Sequence, residues 1–349
     1  MERLGYLSDQ NLIIMERKEL KRYDRQILLT EVGLAGQQKF NQSSVLVIGA
    51  GGLGCPVLQY LVAAGIGRIG VVDDDIVEES NLHRQILFND LDIGKPKAEV
   101  AAAKLRLLNP LVTLTDHVVR LIPENSEELI KGYDLVIDGS DNFKTRYLVN
   151  DTCLKLNKPL VFGSIFKFEG QISVFNYKGG PNYRTFFPES PAEGTSPNCD
   201  EIGVIGMLPG IVGSYMANEA VKIIGNFGEV LSGRLLMINV LTNVFEVFSL
   251  VHLEPYLKEL DPENKMSLQV MRDIESKGEQ VCLIDVRESY EYEEENIGGI
   301  NISLYDLPSK IDELPKDKKI LLYCTNGVRS KTAFNFLKGK FKAGIFILQ

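Results

Sequence analysis

The chain has 349 residues, of which 44% are hydrophobic and 24% are charged, an ordinary globular composition with room for two or three domains. Its formal net charge of -9 disfavours a sequence-independent grip on nucleic acid. No stretch approaches the roughly 20 apolar residues of a membrane span, and the charged N-terminus lacks a secretory apolar segment. We therefore expect a cytoplasmic protein that binds neither nucleic acid nor membrane.

The first 250 residues alternate between strand and helix patterns. They predict a polar helical region over 16–40, a strand VLVIGA (45–50), a helix after GAGGLG, a strand RIGVVDDD (68–75), a helix over 96–108, and strands VTLTDHVV and DLVIDGSDN. Residues 159–177 alternate like a meander, 207–225 are helical, and 233–250 form two strands. We expect a Rossmann-like, doubly wound α/β domain over 1–253, with a mostly parallel sheet and an antiparallel extension.

A polar stretch with two prolines, residues 254–265, predicts a linker. The pattern that follows predicts a helix over 268–277, the strands VCLIDVRE and KKILLYC, the helix SKTAFNFLKGK and the strand GIFIL. Residues 266–349 therefore form a second, smaller α/β domain.

The segment GAGGLG satisfies G-x-G-x-x-G at Gly49, Gly51 and Gly54 between a strand and a helix. Glycines at such a turn let phosphate oxygens approach the backbone and the helix N-terminus, and Asp73 ends the next strand, where a carboxylate can take ribose hydroxyls. The pattern alone leaves three alternatives open: a turn that binds nothing, an NAD- or FAD-dependent oxidoreductase, and another phosphate-bearing ligand.

Three segments around this turn carry cations: Arg25 in RYDRQI, Arg84 in NLHRQ, and Lys97 with Lys95 in GKPKAE. Each could be a solvated surface residue. Together they suit a triphosphate, whose displacement at the α-phosphorus develops charge that arginine and lysine stabilise. Asp141, in GSDN, is placed either to hold Mg²⁺ or to cap a helix.

Seven segments occur in the order typical of the MoeB/ThiF family, adenylyltransferases related to ubiquitin-activating enzymes: RYDRQI, VLVIGAGGLG, DDDIVEESNLHRQ, GKPKAE, DGSDN, FEGQISVF and CDEIGVIGMLPGIVGS. This resemblance covers roughly residues 16–250. It implies that the turn binds ATP, and that the C-terminal Gly-Gly carboxylate of a ubiquitin-like sulfur-carrier protein displaces pyrophosphate to give an acyl-adenylate.

The same resemblance assigns roles to particular residues. Gly52 and its neighbours face the phosphates, Asp73 the ribose, and Asp141 holds Mg²⁺. Arg25 reaches into the partner subunit's site, because the family works as a homodimer. The residues implied to contact the nucleotide, with Asn81 and Arg84 closest to the phosphates, are Ser80, Asn81, Leu82, His83, Arg84, Lys97 and Asn142.

Two cysteine features depart from the family or stay open. Members often carry a CxxC pair after the FEGQ strand and a second pair later, but residues 182–185 here read NYRT, and none of the five cysteines forms a CxxC pair. We therefore expect no structural zinc, since Asn and Thr cannot build a tetrahedral zinc site. Cys199 matches a cysteine in a mobile crossover loop of relatives, where it is either a catalytic thiol or an inert one.

The segment LLYCTNGVRSKTAF, with IDVRESYEYEEENIGGINISL before it, resembles a rhodanese domain, the sulfurtransferase module fused to several MoeB/ThiF relatives. By this resemblance Cys324 carries a persulfide, and Asp285 and Arg287 form an internal ion pair. A buried, unreactive cysteine is the alternative; a Cys-x5-Arg phosphatase loop does not fit, because only four residues separate Cys324 from Arg329. Relatives continue beyond GIFILQ with a glycine pair and a helix, so we expect an incomplete domain.

The sequence thus predicts ATP-dependent adenylation of a sulfur-carrier protein of the molybdopterin-synthase or thiamine type. Sulfur then comes from Cys324, loaded by a donor such as a cysteine desulfurase. The alternatives are an oxidoreductase that rests on the glycine pattern alone, and a rhodanese module that only recruits a sulfur donor. Sequence does not choose between the molybdenum-cofactor and thiamine pathways.

Overall fold

The structure, a computed structural model, describes residues 15–187, 203–249 and 265–348, the last range without 279, 288, 305, 308–309, 326 and 342–343. The chain divides into two compact units, residues 1–251 and 252–349. The helices are α1 Arg17–Ile27, α2 Gly33–Gln42, α3 Gly54–Ala64, α4 Lys97–Leu108, α5 Pro123–Lys131, α6 Phe143–Lys155, α7 Tyr183–Phe186, α8 Met207–Gly225, α9 Leu268–Ser276, α10 Ser289–Glu294 and α11 Val328–Leu337.

The strands of the first unit are β1 Ser44–Ile48, β2 Arg68–Val72, β3 Thr113–His117, β4 Leu135–Asp138, β5 Leu160–Phe166, β6 Glu169–Phe175, β7 Arg234–Asn239 and β8 Val244–Ser249. They form one sheet in the order β3-β2-β1-β4-β5-β6-β7-β8. The pairs from β3 to β5 are parallel, and those from β5 to β8 are antiparallel. The predicted doubly wound sheet with an antiparallel extension is therefore confirmed.

Strand β1 is covered on both faces, which explains its continuous apolar sequence. All five of its residues are buried, because both faces of the sheet are covered. Val45 and Val47 pack in a core with residues of α3, α4 and α8, whereas Leu46 and Ile48 point into the opposite core with residues of α5 and α6. Parallel strand order reverses where β1 meets β4, and the ends of these two strands open the crevice in which such folds bind ligands.

An aromatic cluster holds the part of the first unit where relatives place a CxxC pair. Tyr183, 2% exposed, packs against Tyr147, Phe162 and Phe175, with ring centroids 5.1, 5.3 and 5.7 Å away. Its backbone N–H donates to the side chain of Asn150 at 2.8 Å. Apolar packing thus joins residues 183–187 to α6 and the sheet.

The second unit has strands β9 Lys265–Met266, β10 Val281–Asp285, β11 Ile300–Asn301, β12 Lys319–Tyr323 and β13 Ile345–Leu348. They form an all-parallel sheet in the order β11-β10-β12-β13-β9. Ile284, Leu322 and Ile347 from three neighbouring strands share a core with Phe334 and Leu337 of α11. None of the helices described is both long and apolar enough to cross a membrane.

Candidate active sites

The glycine-rich turn joins β1 to α3 and lies against the loop that follows β4. Gly49 has a φ of +90°, and a Cβ on it would lie 3.0 Å from the carbonyl oxygen of Gly139. A Cβ on Gly54 would lie 1.9 Å from the carbonyl oxygen of Gly49, so only glycine fits there. Gly51 and Gly52 remain half-buried before α3, whose N-cap makes no side-chain hydrogen bond. The turn therefore presents a helix N-terminus to an anion.

Asp73 follows β2 and is fixed directly beside the turn. One carboxylate oxygen accepts the N–H of Ala50 at 2.7 Å, and the other accepts the N–H of Asp75 at 2.9 Å. Burial raises the pKa of Asp73, while these two backbone donors and the Lys97 ammonium act in the opposite direction. The structure thus brings the predicted ribose residue to the predicted turn.

Lys97 begins α4 and is almost completely buried, with 7% of its side chain exposed. Its Nζ lies 3.1 Å from Oδ2 of Asp75, whose side chain is 65% exposed. Burial raises the pKa of the Cys55 thiol, in the first turn of α3, to about 12, and Lys97 and Lys104 are among the charges that oppose that shift. Asp75, which the sequence pattern did not single out, also donates its N–H to Asp73, and Asp73 accepts the N–H of Ala50, so these contacts connect Lys97 to the glycine turn.

The segment NLHRQ runs along the other side of the turn. Arg84 donates from Nη1 to the carbonyl oxygen of Ser80 at 3.1 Å, and its Cγ lies 3.7 Å from the position of a Cβ on Gly52. Gln85, 3% exposed, has its Nε2 3.8 Å from the corresponding position on Gly51, and its buried Oε1 has no hydrogen-bond partner among the described residues. Gln85 was absent from the predicted site, since nothing in the sequence marks its burial.

The other predicted residues of this segment differ in their surroundings. Asn81 is buried and accepts the N–H of Glu78 at 3.3 Å, which shapes the turn. The Leu82 side chain is half-buried and packs against the core. His83 is exposed, with Nδ1 3.0 Å from the carbonyl oxygen of Ser80.

The loop after β4 carries Asp141 next to the glycine turn. The loop follows Asp138, the last residue of β4, which is fully buried. Oδ1 of Asp138 accepts the N–H and the hydroxyl of Ser140 at 2.9 and 2.6 Å. Burial raises the pKa of Asp138, and the Arg146 guanidinium is the main opposing charge. Asn142, not Asp141, caps α6 through a 2.8 Å hydrogen bond. Helix capping therefore does not explain the exposed Asp141.

The start of α8 covers the turn, a placement that the sequence reading did not foresee. A Cβ on Gly52 would lie 3.1 Å from Cβ of Pro209, and one on Gly206 would lie 2.3 Å from the carbonyl oxygen of His83. The small residues of GVIGMLPG were the available signal. They let α8 approach both the glycine turn and the NLHRQ segment closely.

Arg25 does not join this group in its own chain. It is exposed on α1, and its neighbour Tyr23 packs against Gly65 and accepts a hydrogen bond from Asn109 at 2.9 Å. Gly65 ends α3, an 11-residue helix about 16 Å long, so Arg25 lies at the far end from the glycine turn.

In the second unit, Cys324 follows β12 and precedes α11. The thiol is buried, 5% exposed, and the N–H of Ser330 donates to Sγ at 3.3 Å, with the Ser330 hydroxyl 3.4 Å away. Both groups come from the first turn of α11, whose positive dipole end also favours a sulfur anion.

Two arginines near Cys324 are engaged by carboxylates. Arg329 pairs with Glu291 and donates from Nη2 to Oε1 at 2.8 Å. Arg287 pairs with the fully buried Asp285, whose hydrogen bonds and charge raise the pKa of Arg287, and it also donates to the carbonyl oxygen of Glu295. The internal ion pair expected for the DVRE segment is thus present.

Cys199 falls outside the residues that the structure describes. Among the residues that it does describe, no group of three or more His, Cys, Asp or Glu side chains is arranged to hold a metal ion.

Comparison with known proteins covers both units. Residues 23–257 match the model of the ThiF family, and residues 267–349 match that of the rhodanese-like domain. A probable molybdopterin-synthase adenylyltransferase of Porphyra purpurea is 40% identical over 93% of this chain and 90% of its own length. A sulfur carrier protein adenylyltransferase of Thermus thermophilus is 53% identical over 66% of this chain and 86% of its own.

A solved structure supports the fold of the first unit. Crystalline E. coli MccB, bound to a MccA peptide variant, superposes with a TM-score of 0.60 at 21% identity, covering 66% of this chain and 72% of that one. This likeness concerns the fold alone.

Proposed function

The chain belongs to the ThiF family and is an adenylyltransferase, and we propose that it activates the C-terminal glycine of a ubiquitin-like sulfur-carrier protein with ATP. The observation that carries this proposal is the convergence of the glycine turn, Asp73, Lys97 and the Asp141 loop at the carboxyl edge of the sheet, where strand order reverses. Family membership disfavours the oxidoreductase alternative, which rested on the glycine pattern alone.

Adenylation needs positioning and charge neutralisation rather than a protein nucleophile. The carrier's carboxylate oxygen attacks the α-phosphorus, and the bond from that phosphorus to the bridging oxygen breaks, so that pyrophosphate leaves with the electron pair. Arg84 and Lys97 neutralise the charge on the phosphates, with the N-terminus of α3 contributing fixed N–H donors. Asp73, held by two backbone donors, orients the ribose through its hydroxyls.

Asp141 suits a magnesium site. Its carboxylate is exposed, and the Nδ2 of Asn142 makes a long contact to it at 3.4 Å, so its oxygens are accessible. Mg²⁺ commonly takes one or two carboxylates together with phosphate oxygens and water, so a single protein carboxylate suffices. The ion would neutralise polyphosphate charge when bound.

Sulfur transfer is the role proposed for the second unit. Ser330 and the N-terminus of α11 stabilise a negatively charged sulfur on Cys324, which fits a persulfide carried there after loading by a donor such as a cysteine desulfurase. The name of the Porphyra relative makes the molybdopterin-synthase small subunit the first carrier to test, with a thiamine-type carrier second.

We further propose a homodimer in which Arg25 completes the partner's phosphate site, because Arg25 lies far from the turn of its own chain. Arg25→Ala and Asp141→Ala homodimers should each be inactive. Mixed dimers would hold one intact site, and with random pairing the co-expressed variants should recover about a quarter of the normal rate. Absence of recovery, with mixed dimers verified by tags, would refute the placement of Arg25 in the partner's site.

We also propose that the segment around residues 183–187 holds no zinc, since the aromatic cluster around Tyr183 supplies its packing. Elemental analysis of the purified protein should find far less than one zinc per chain. A stoichiometric zinc would contradict this reading.

The central test is exchange of labelled pyrophosphate into ATP in the presence of a Gly-Gly-ended carrier. Lys97→Met should reduce exchange by about 100-fold or more, the usual effect of removing one charge-stabilising group. Lys95→Met, two residues away and exposed, is the matched control and should retain most of the rate. If no carrier of either type supports exchange, or if the two variants behave alike, the proposal fails.

A further inference from the structure

Lys97 occupies an unfavourable position when no phosphate is present. Its ammonium is almost entirely buried, and it belongs to the first residue of α4, where the helix dipole is positive. A cation placed there costs free energy unless an anion accompanies it. Asp75 Oδ2, 3.1 Å away, supplies that anion.

A small backbone ribbon holds the two residues together. The Lys97 N–H donates to the carbonyl oxygen of Asp75 at 2.9 Å, and Val77 exchanges backbone hydrogen bonds with Lys95 and Gly94. Ile76 and Pro96 form an isolated antiparallel bridge between these segments. The pairing of Asp75 with Lys97 is therefore built into the backbone rather than left to two flexible side chains.

We propose that Asp75 is an exchange counter-ion for Lys97: it holds the ammonium while the site lacks a polyphosphate, and the phosphates displace it when ATP binds. This inference rests on the proposed function, in which Lys97 contacts the phosphates. Because 65% of the Asp75 side chain is already in water, its carboxylate can release Lys97 and become fully hydrated at little cost. Asp75 is thus a positioning residue that acts through Lys97.

The test is the ATP affinity of Asp75→Asn, measured by calorimetry on the full chain with Mg²⁺ present. Since ATP no longer has to displace a competing carboxylate, this variant should bind ATP about fivefold more tightly than Asp74→Asn. The Asp74→Asn control removes the same charge one residue away. Asp74 pairs with Arg120 on the surface rather than with Lys97. Asp75→Glu, which keeps the charge, should return the affinity towards the wild-type value. A gain in affinity cannot arise from misfolding.

A double-mutant cycle separates this inference from the proposed function. In a Lys97→Met background, Asp75→Asn and Asp74→Asn should bind ATP equally. If Lys97→Met weakens ATP binding but Asp75→Asn binds no more tightly than Asp74→Asn, the counter-ion exchange is refuted and the proposed function stands. If Lys97→Met leaves ATP binding unchanged, the phosphate role of Lys97 is itself wrong.

Discussion

Replacing Arg146 by methionine should destabilise the first unit strongly at neutral pH. Arg146 is 7% exposed, its guanidinium lies 5.3 and 5.0 Å from the rings of Phe143 and Phe162, and it is the main charge opposing the burial of Asp138. Asp138 Oδ2 and Arg146 Nε both lack a hydrogen-bond partner among the described residues, so neither of these buried atoms is stabilised by a direct polar contact. Removing one member of a directly paired buried salt bridge costs about 3–5 kcal/mol, and this figure is the upper bound for the longer-range interaction of Arg146 with Asp138.

The effect should depend on pH in a defined direction. Burial raises the native pKa of Asp138 above its unfolded value, so the native state retains a proton over a range where the unfolded chain has lost it. Stability therefore falls as pH rises through that range and is constant above it. Without Arg146 the native pKa of Asp138 rises further, so the deficit of the variant grows with pH. At acid pH, with Asp138 protonated in both proteins, the cost of the substitution comes from lost packing and from lost hydrogen bonds, such as those of Arg146 to the carbonyl oxygen of Ser140 and to Tyr183.

Urea unfolding followed by circular dichroism between pH 4 and pH 8 measures this difference. Arg184→Met is the matched control, because Arg184 makes a bidentate pair with Asp151 in which both side chains are nearly half exposed. That pair should contribute no more than about 1 kcal/mol. The reasoning is refuted if Arg146→Met costs no more than Arg184→Met at pH 8, or if its cost is the same at both ends of the pH range.

Three further outcomes are expected. Gly49→Ala should abolish pyrophosphate exchange, because the new Cβ would contact Gly139 and the φ of this residue is positive. Gly94→Ala is the control, since Gly94 has a φ of +83° but open space around it, so this variant should suffer backbone strain alone. Equal exchange rates of the two variants would contradict this prediction. Cys324→Ser should stop sulfur transfer and leave pyrophosphate exchange intact. Cys282→Ser should affect neither assay, because Cys282 is a half-buried thiol whose pKa is raised by burial. Tyr183→Ala should lower the free energy of unfolding by about 3–5 kcal/mol in urea titration, and a cost below 1 kcal/mol would show that the ring cluster does not hold its lobe.

Local features of the site could be predicted from sequence because they depend on neighbours along the chain. The glycine spacing, the apolar run before it and the acids that end β2 each lie within a few residues of one another, and they predicted the strand, turn and helix correctly. Asp73 was placed at the turn by spacing alone, and its hydrogen bond to Ala50 agrees.

Features that depend on buried polar groups and on tertiary contacts could not be predicted from the sequence. Helix α6 was missed because several of its buried residues are polar, among them Arg146, Asn150 and Thr152, so it shows no clear apolar stripe. The partner of Lys97 was missed because the ribbon that brings Asp75 to it joins segments about 20 residues apart. Gln85 and the start of α8 contact the turn through tertiary packing that no local pattern records.

The three consecutive acids after β2 pose an electrostatic problem for a site that should accept a polyanion, and their partners resolve it. Asp73 is committed to two backbone donors, and Asp74 points to Arg120 on the surface. Asp75 is the one whose partner, Lys97, is the cation that we propose for the phosphates. In the proposed exchange, ATP binding rearranges a single ion pair, while the two other carboxylates keep their contacts. In this proposal the acidic run that would repel a nucleotide also supplies the carboxylate that holds the buried lysine in place until a nucleotide binds.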